Sequence, residues 1–360
     1  MKMELHDLIK LLPKDIDAGI ISSPSNIRYF TGFNTDSGYI IVSRNGSVFM
    51  TDSRYIEAAQ ASVECCDVVL MKDYKEQIPK YLKKFNCSSV ALEADHITIA
   101  GLREFNRIFK PDGFKAVFDS RLDKALRFLR CEKKAEEVEN IKAAQAIAEA
   151  AYNHVIKYIK PGMTEKDVAL AIDFYMLRNG AEGIAFDTIV VSGKKTSLPH
   201  GVPSDKIIEF GDFVTMDFGA KVNGYCSDMT RTVAVGEVSD MMADVYAIVL
   251  EAQAAAIKTA AAGIPASTVD FAARSVIDKS GYGHAFGHAT GHGVGIDIHE
   301  EPRVSEKSSY TLRAGNVITA EPGIYLPDRF GVRIEDMLLI TENGCENLTN
   351  APKELTVLNN

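Results

Sequence analysis

The chain has 360 residues, which is more than one hydrophobic core usually organises, so two domains are expected. Hydrophobic residues make up 46% of the sequence and charged residues 25%, and this composition excludes a disordered chain. The net charge of -9 and the lack of a basic run disfavour nucleic-acid partners. Small neutral or positively charged substrates fit this charge balance.

No stretch of the sequence is apolar over the roughly 18 residues that crossing a bilayer takes, and the acids Glu4 and Asp7 do not suit a signal peptide. The six cysteines include no C-x-x-C pair and are sparse for this length. A reduced, cytoplasmic compartment with no membrane partner is therefore expected. Cys226 is interpreted as a packing residue, because no basic residue stands next to it in sequence to activate its thiol.

The first part of the chain is predicted to be a mixed α/β domain. Asn45-Gly46 suits a tight hairpin turn between two short apolar runs. A helix is expected over residues 74–85, in which Pro79 either introduces a kink or marks the start. The runs rich in β-branched and aromatic residues, which predict strands, cover 39–42, 47–50, 68–70 and 90–92.

A charged stretch separates this region from a long helical pattern. Apolar residues recur at helical spacing from Val138 to Ile159, and Lys160-Pro161-Gly162 ends the pattern. The domain boundary is therefore placed near residue 125, which gives domains over 1–125 and 126–360.

The second domain contains an internal sequence repeat. Gly162 and Gly263 each precede a helical pattern, Gly180 and Gly281 each end one, and the members of both pairs are 101 residues apart. An alanine-rich helix precedes each copy, and strand-like segments follow each. Four elements in the same order predict two duplicated halves, and sites often form in a cleft between such halves.

Two aspartates lie on neighbouring predicted strands. Asp217 stands on the face opposite the apolar residues of the first strand, and Asp228 shares a face of the second with Thr230 and Thr232. A hairpin loop over 219–224 would bring the two carboxylates side by side. Buried together, they need a proton or a cation, and an exposed acidic hairpin is the alternative.

A glycine-rich segment carries half of the eight histidines. Such a segment could hold phosphate, but no G-K-[S/T] follows it, and no G-x-G-x-x-G lies at a strand-to-helix turn. Metal or proton chemistry is therefore favoured. The histidines in this segment are His284, His288, His292 and His299.

Two later predicted strands carry further acids. The run 316–323 contains Glu321 near its end, and the run 331–340 carries Arg333 and Glu335 on one face. A charged pair in an apolar strand is costly unless each member has a partner, and a solvated edge strand is the alternative. Four acids and one histidine make an oxygen-rich set that suits two divalent ions, Mn²⁺ first, with Co²⁺, Zn²⁺ or Fe²⁺ also compatible.

At these residues the sequence resembles the pita-bread metallopeptidases, which comprise Xaa-Pro dipeptidases, Xaa-Pro aminopeptidases and methionine aminopeptidases. The resemblance rests on Asp217, Asp228 eleven residues later, His292 in G-H-G-x-G, Glu321 in E-P-G and Glu335 in R-I-E. It implies that Asp217 chelates one ion and that Asp228 and Glu335 bridge both. His292 and Glu321 would complete the shell of the other ion.

The resemblance also implies roles for side chains around the ions. His299 would stabilise the oxyanion, His200 would position the substrate, and Glu321 would carry a proton to the leaving nitrogen. Arg303 would hold the terminal carboxylate of a dipeptide, unless it is simply a solvated residue. The implied substrate-binding residues are His200, His288, His299, Arg303 and Arg333. Arg333 would also orient Glu335 and neutralise surplus negative charge.

Residues 26–33 resemble the motif that opens the accessory domain of prolidases and creatinase, which methionine aminopeptidases usually lack. The implied fold is a creatinase-like α/β domain over 1–125 and an α+β pita-bread domain over 126–360, with duplicated halves and a curved, mostly antiparallel sheet. The implied activity is hydrolysis of the Xaa-Pro bond of dipeptides or short peptides by a metal-activated bridging water, in a homodimer. A metal-free creatinase-like hydrolase and a non-catalytic binding module are the alternatives, but both predict lost carboxylates.

Overall fold

The computed structural model describes residues 5–359. Internal contacts divide the chain into two compact units, one up to Arg130 and one from Cys131 onward. The boundary predicted near residue 125 lies inside the helix Arg121–Cys131, and the division falls at the end of that helix. Among the described residues, none of the helices combines the length and the apolar character that crossing a bilayer takes.

The first unit is a mixed α/β fold, as predicted. Its strands are β1 (Ala18–Ile21), β2 (Tyr39–Ser43), β3 (Gly46–Thr51), β4 (Asp67–Leu70), β5 (Ser89–Leu92) and β6 (Lys115–Val117). Its helices are α1 (Leu5–Leu11), α2 (Pro24–Thr31), α3 (Ile56–Ser62), α4 (Tyr74–Lys84), α5 (Ile99–Phe109) and α6 (Arg121–Cys131). The strands form one sheet in the order β4-β3-β2-β1-β5-β6, in which β1 pairs antiparallel with β2 and parallel with β5.

Local sequence accounts for the elements predicted in this unit. The hairpin is confirmed, since β2 and β3 pair antiparallel and Ser43 stands opposite Gly46 across the turn. Helix α4 is also confirmed: Asp73 caps its first turn, and Pro79 lies within it without ending it. The 26–33 motif forms most of α2, which ends where Gly32 adopts the left-handed conformation with φ 68°.

The second unit repeats one set of elements. Its helices are α7 (Ala135–Val155), α8 (Glu165–Arg178), α9 (Asp240–Thr259) and α10 (Ala266–Lys279). The strands of its first half are β7 (Gly183–Ile184), β8 (Ile189–Ser192), β9 (Phe213–Phe218), β10 (Ala220–Val222), β11 (Tyr225–Cys226) and β12 (Met229–Val235). Those that follow are β13 (Gly291–Gly293), β14 (Glu300–Val304), β15 (Val317–Ala320), β16 (Gly323–Leu326), β17 (Phe330–Arg333), β18 (Asp336–Thr341), β19 (Gly344–Asn347) and β20 (Val357–Leu358).

The predicted duplication is confirmed. Helix α10 begins and ends 101 residues after α8, the interval that the glycines predict. An isolated bridge joins Thr164 to Ile207 in the first half and Pro265 to Thr311 in the second. Strands β8, β9 and β12 are antiparallel neighbours in one half, and β13, β15 and β18 are antiparallel neighbours in the other. Corresponding strand ends therefore recur in the two halves.

Two predicted strand connections differ from the observed ones. The loop expected over 219–224 is partly strand, because β10 and β11 form a small hairpin that turns at Asn223 and Gly224 with positive φ at both residues. The strand expected over 331–340 is divided: β17 pairs with β16, whereas β18 pairs with β15. Glu335 lies at the division, and its backbone N–H donates to the carbonyl of Thr230 at 3.2 Å.

Candidate metal centre

Strand ends from both halves supply four carboxylates and one imidazole. Asp217 lies near the end of β9, and Glu321 directly follows β15. Asp228 directly precedes β12, and Glu335 directly precedes β18. Each half therefore offers one acid where a strand ends and one where the next antiparallel strand begins. His292 lies in the middle of β13.

The imidazole of His292 faces the acids with its unprotonated nitrogen. One ligand atom from each of Asp228, His292 and Glu335 lies within 4.8 Å of the others. Nε2 of His292 lies 3.5 Å from Oδ2 of Asp228 and 3.5 Å from Oε1 of Glu321. Nδ1 lies 3.0 Å from the carbonyl oxygen of Gly293, which can only accept, so we place the ring proton on Nδ1. A lone pair directed at carboxylate oxygens is the arrangement that a cation between them stabilises.

The two carboxylate oxygens of Asp217 differ in their hydrogen bonding. Its Oδ2 accepts a hydrogen bond from Nη2 of Arg333 at 2.6 Å. Its Oδ1 is buried and has no hydrogen-bond partner among residues 5–359. A buried carboxylate oxygen without a partner carries a large desolvation cost, which a bound cation would offset. The donor set and this oxygen therefore fit a divalent metal ion.

Burial and mutual repulsion shift the pKa values of the cluster. Burial, followed by the charges of Glu335, Asp217 and Glu321, holds the pKa of Asp228 well above its usual value. Burial raises the pKa of Glu321 to about 8. Burial also raises the pKa of Glu335 well above its usual value, with Glu321 and Asp217 adding to the effect. In contrast, burial lowers the pKa of His292 to about 4, so this ligand is neutral at physiological pH.

Arg333 lies behind the acids. Its side chain is only 4% exposed. Besides Asp217, its guanidinium donates to the hydroxyls of Thr230 at 3.0 Å and Tyr325 at 2.9 Å, and to the carbonyl of Pro199 at 3.2 Å. The guanidinium is therefore committed to protein acceptors around Asp217, and a direct contact of Arg333 with the substrate stays a prediction.

The side chains of Thr230 and Tyr325 join the site without having been predicted as site residues. The hydroxyl of Thr230 donates to Oε2 of Glu335 at 2.7 Å. Strand alternation already places Thr230 on the face of Asp228, which is the signal that could have found it. The hydroxyl of Tyr325 lies 2.8 Å from Nε2 of His288. This contact joins separate parts of the chain, so no local sequence pattern predicts it.

The remaining predicted side chains lie at the outer side of the cluster. His299 is exposed, and its ring centroid is 4.3 Å from that of His292. Burial and then the charge of His200 lower the pKa of His299, so the two exposed histidines are electrostatic neighbours. Arg303 is exposed on β14, and its backbone N–H donates to the carboxylate of Glu301 at 3.2 Å. The structure thus brings His299 to His292 and leaves Arg303 at the surface.

Comparison with known proteins agrees with this geometry. The chain matches the sequence model of metallopeptidase family M24 over residues 139–342 and that of the creatinase/prolidase N-terminal domain over residues 10–120. The chain therefore belongs to metallopeptidase family M24. It is an enzyme of the metallopeptidase class with the two-domain, pita-bread fold expected from the sequence, and this family implies divalent metal ions.

Individual relatives cover nearly the whole chain. The Xaa-Pro dipeptidase of Pyrococcus furiosus is 41% identical over 358 residues, which are 99% of this chain and 100% of that protein. The structure of an Xaa-Pro dipeptidase from Bacillus anthracis superposes with a TM-score of 0.94 at 37% identity, over 98% of this chain and 99% of the other. An X-Pro aminopeptidase structure from Thermotoga maritima MSB8 reaches a TM-score of 0.89 at 38% identity, with the same coverage.

Proposed function

We propose that this enzyme hydrolyses the Xaa-Pro bond at the N-terminus of dipeptides or short peptides, with two divalent ions per chain. The observation that carries the proposal is the convergence of buried acids around a neutral His292, with Oδ1 of Asp217 buried and unpartnered within residues 5–359. The Xaa-Pro specificity is carried over from the names of the relatives.

Five side chains would hold the ions, and Mn²⁺ is the first candidate for an oxygen-rich set. Four carboxylates exceed the need of one ion and suit two ions with shared ligands. When bound, the ions would supply Lewis acidity and would lower the pKa of a water molecule toward neutrality. The proposed ligands are Asp217, Asp228, His292, Glu321 and Glu335.

The surrounding residues would bind the peptide and move protons. Glu321 lies between His292 and the Thr319 hydroxyl, at 3.5 and 3.4 Å, and its carboxylate would pass a proton to the leaving nitrogen. His299, exposed beside His292, would donate a hydrogen bond to the developing oxyanion. His200 would hold the peptide near the scissile bond.

Two of the predicted substrate-binding residues have indirect roles in this proposal. Arg333 holds Asp217 and offsets negative charge instead of contacting the peptide. His288 acts through Tyr325, whose hydroxyl accepts from Arg333. Arg303, exposed on β14, remains the proposed partner of a dipeptide carboxylate, and this would favour dipeptides over longer peptides.

The homodimer and the cytoplasmic location stay predictions. Helix α8 exposes an apolar stripe, with exposed fractions of 65% for Leu170, 64% for Phe174 and 50% for Leu177. Residues spaced by four and three positions share one helix face, so the stripe is a candidate surface for a second copy of the chain. Light scattering of wild type and Phe174→Lys tests this, because a dimer built on the stripe dissociates in the variant.

Metal removal and addition test the proposed function. Protein treated with a chelator is expected to lose hydrolysis of Xaa-Pro and Xaa-Pro-Xaa peptides, and to regain it as about two Mn²⁺ bind per chain. An Xaa-Ala dipeptide serves as the control for proline specificity. Undiminished hydrolysis by metal-free protein would support the creatinase-like alternative. Bound metal without hydrolysis of any peptide would support a binding module.

A further inference from the structure

Each half of the second unit carries a fully buried acid on its second helix. Glu165 is the first residue of α8, and Asp270 lies one turn into α10; both are 0% exposed. At the interval of 101 residues, Glu165 corresponds to Ala266, and Ala169 corresponds to Asp270. The first half has the acid at the first of two positions and alanine one helical turn later, and the second half has the reverse order. The two positions lie on the same face of the helix.

The buried acid of the first half ties together two points that flank His200. Oε1 of Glu165 accepts the backbone N–H of Ser192 at 2.8 Å. Oε2 accepts the N–H of Ser204 at 3.1 Å, the hydroxyl of Ser204 at 2.8 Å and Nζ of Lys195 at 2.5 Å. Because Ser192 precedes His200 and Ser204 follows it, one carboxylate closes the segment that presents this histidine.

The buried acid of the second half holds a different segment. Oδ1 of Asp270 accepts the N–H of Thr290 at 3.0 Å and its hydroxyl at 2.8 Å. Both carboxylate oxygens also accept from Arg274, at 2.9 and 3.0 Å. Arg274 in turn donates to the carbonyls of Phe286 at 3.1 Å and His288 at 2.9 Å. Three backbone positions of one segment are therefore fastened to α10.

The second segment leads directly to two proposed metal ligands. The carbonyl of Thr290 accepts the backbone N–H of Glu321 at 2.8 Å, and His292 follows Thr290 by two residues. The segment that Glu165 closes, from Ser192 to Ser204, contains none of the five proposed ligands. The two acids have the same burial and the same type of contact, but they hold different parts of the site.

We propose that Asp270 is a positioning residue for the metal ligands His292 and Glu321, whereas Glu165 is a positioning residue for His200 and hence for the peptide. The inference rests on the proposed function, since it assigns each acid to one part of that site. Outer contacts that hold ligands in place commonly contribute about 10–100-fold to metal affinity. A segment that must be ordered at binding weakens affinity by the cost of ordering it.

Calorimetric titration of the metal-free, full-length chain with Mn²⁺ tests whether Asp270 and Glu165 have these different roles. Asp270→Asn is expected to lower Mn²⁺ affinity about 10–100-fold. Glu165→Gln, matched in burial and in lost charge, is expected to lower it much less, because its segment reaches the ligand Asp217 through Pro199 and Arg333 and holds no ligand itself. At saturating Mn²⁺, Glu165→Gln should instead raise KM for an Xaa-Pro dipeptide more than it lowers kcat. Equal Mn²⁺ affinities in wild type and Asp270→Asn, or equal losses in both variants, overturn the proposal.

A milder pair of variants keeps the test valid where Asp270→Asn does not fold. Thr290→Val removes one hydrogen bond to Asp270 and should lower Mn²⁺ affinity, whereas Thr290→Ser should restore it. An unchanged affinity in Thr290→Val overturns the metal-side assignment. Hydrogen exchange of the metal-free chain adds a readout without metal: Glu165→Gln should speed exchange near Leu198 and Gly201 only. Failure of the wild type to bind Mn²⁺ would instead count against the proposed function itself.

Discussion

The hydroxyl of Thr230 lies between Glu335 and Arg333, donating to Oε2 of Glu335 at 2.7 Å and accepting from Nε of Arg333 at 3.0 Å. Arg333 also donates to Asp217, so one uncharged side chain of β12 is linked to acids from both halves of the second unit. A hydroxyl can donate and accept at once, which lets it fit between a carboxylate and a guanidinium.

Thr230→Val removes both hydrogen bonds while nearly preserving the shape of the side chain. It leaves a buried N–H of Arg333 without its acceptor, which costs about 1–3 kcal/mol, and it frees one oxygen of Glu335. We expect metal affinity to fall about tenfold or more, as for other outer-shell changes. Calorimetric Mn²⁺ titration measures this, and Thr230→Ser, which keeps the hydroxyl, should bind like wild type. An unaltered affinity in Thr230→Val would show that the contact does not orient Glu335.

Asp217→Asn tests whether the unpartnered oxygen of Asp217 belongs to a metal site. Asparagine keeps an oxygen for Arg333 but removes the negative charge. We expect the bound metal, measured by elemental analysis, to fall from about two ions per chain to about one. We expect kcat/KM to fall by more than about 100-fold, because outer-shell changes alone reach that range. Asp205→Asn, an exposed acid paired with Lys166, is the control and should change neither quantity.

The raised pKa values make the metal-free chain sensitive to pH. The pKa of Glu321 is about 8 in the folded chain, raised by burial, against 4.5 for an ordinary glutamate. The contribution of protonated Glu321 to the free energy of unfolding is therefore complete below pH 4.5 and is lost as the pH rises through 8. The pKa of His292 is lowered to about 4, and its contribution is present above pH 6.5 and lost as the pH falls through 4. Between pH 6.5 and 8 the contribution of His292 is constant and that of the buried acids declines. The stability of the metal-free protein should therefore fall as the pH rises through this range.

Scanning calorimetry in the presence of a chelator measures this trend. The midpoint of thermal unfolding should fall between pH 6.5 and 8. Saturating Mn²⁺ should abolish the fall, because bound ions replace the protons that the acids otherwise need. A midpoint that is constant or rises with pH in chelator would mean that these acids ionise without penalty, against the burial of the cluster.

Arg303→Ala tests the proposed contact with the carboxylate of a dipeptide. A hydrogen bond between charged groups contributes about 1.5–3 kcal/mol, so KM for an Xaa-Pro dipeptide should rise roughly 10–100-fold. The matching Xaa-Pro amide lacks the carboxylate, and its KM should be the same for both proteins. If the variant keeps the dipeptide KM of wild type, Arg303 is a solvated surface residue, the alternative that its exposure also allows.

Much of the fold followed from local patterns because the physical causes are local. The Asn45-Gly46 turn, the capped helix α4 and the interval of 101 residues between α8 and α10 all depend on neighbours in sequence or on repetition. The division of the run 331–340 into β17 and β18 was missed. An apolar, alternating pattern predicts a strand but does not say which neighbouring strand each end pairs with.

The candidate site divides in the same way. The identity of the acids and histidines, and the chemistry that such a set favours, were readable from the residues themselves. The contacts that orient them were not: Tyr325 on His288, Thr230 on Glu335, and Thr290 on Asp270 each join segments far apart in the chain. The residue types determined by themselves what this protein can bind, because ligand chemistry belongs to side chains. Only the tertiary structure decided which atoms meet, because distance and desolvation arise when separate strands pack together.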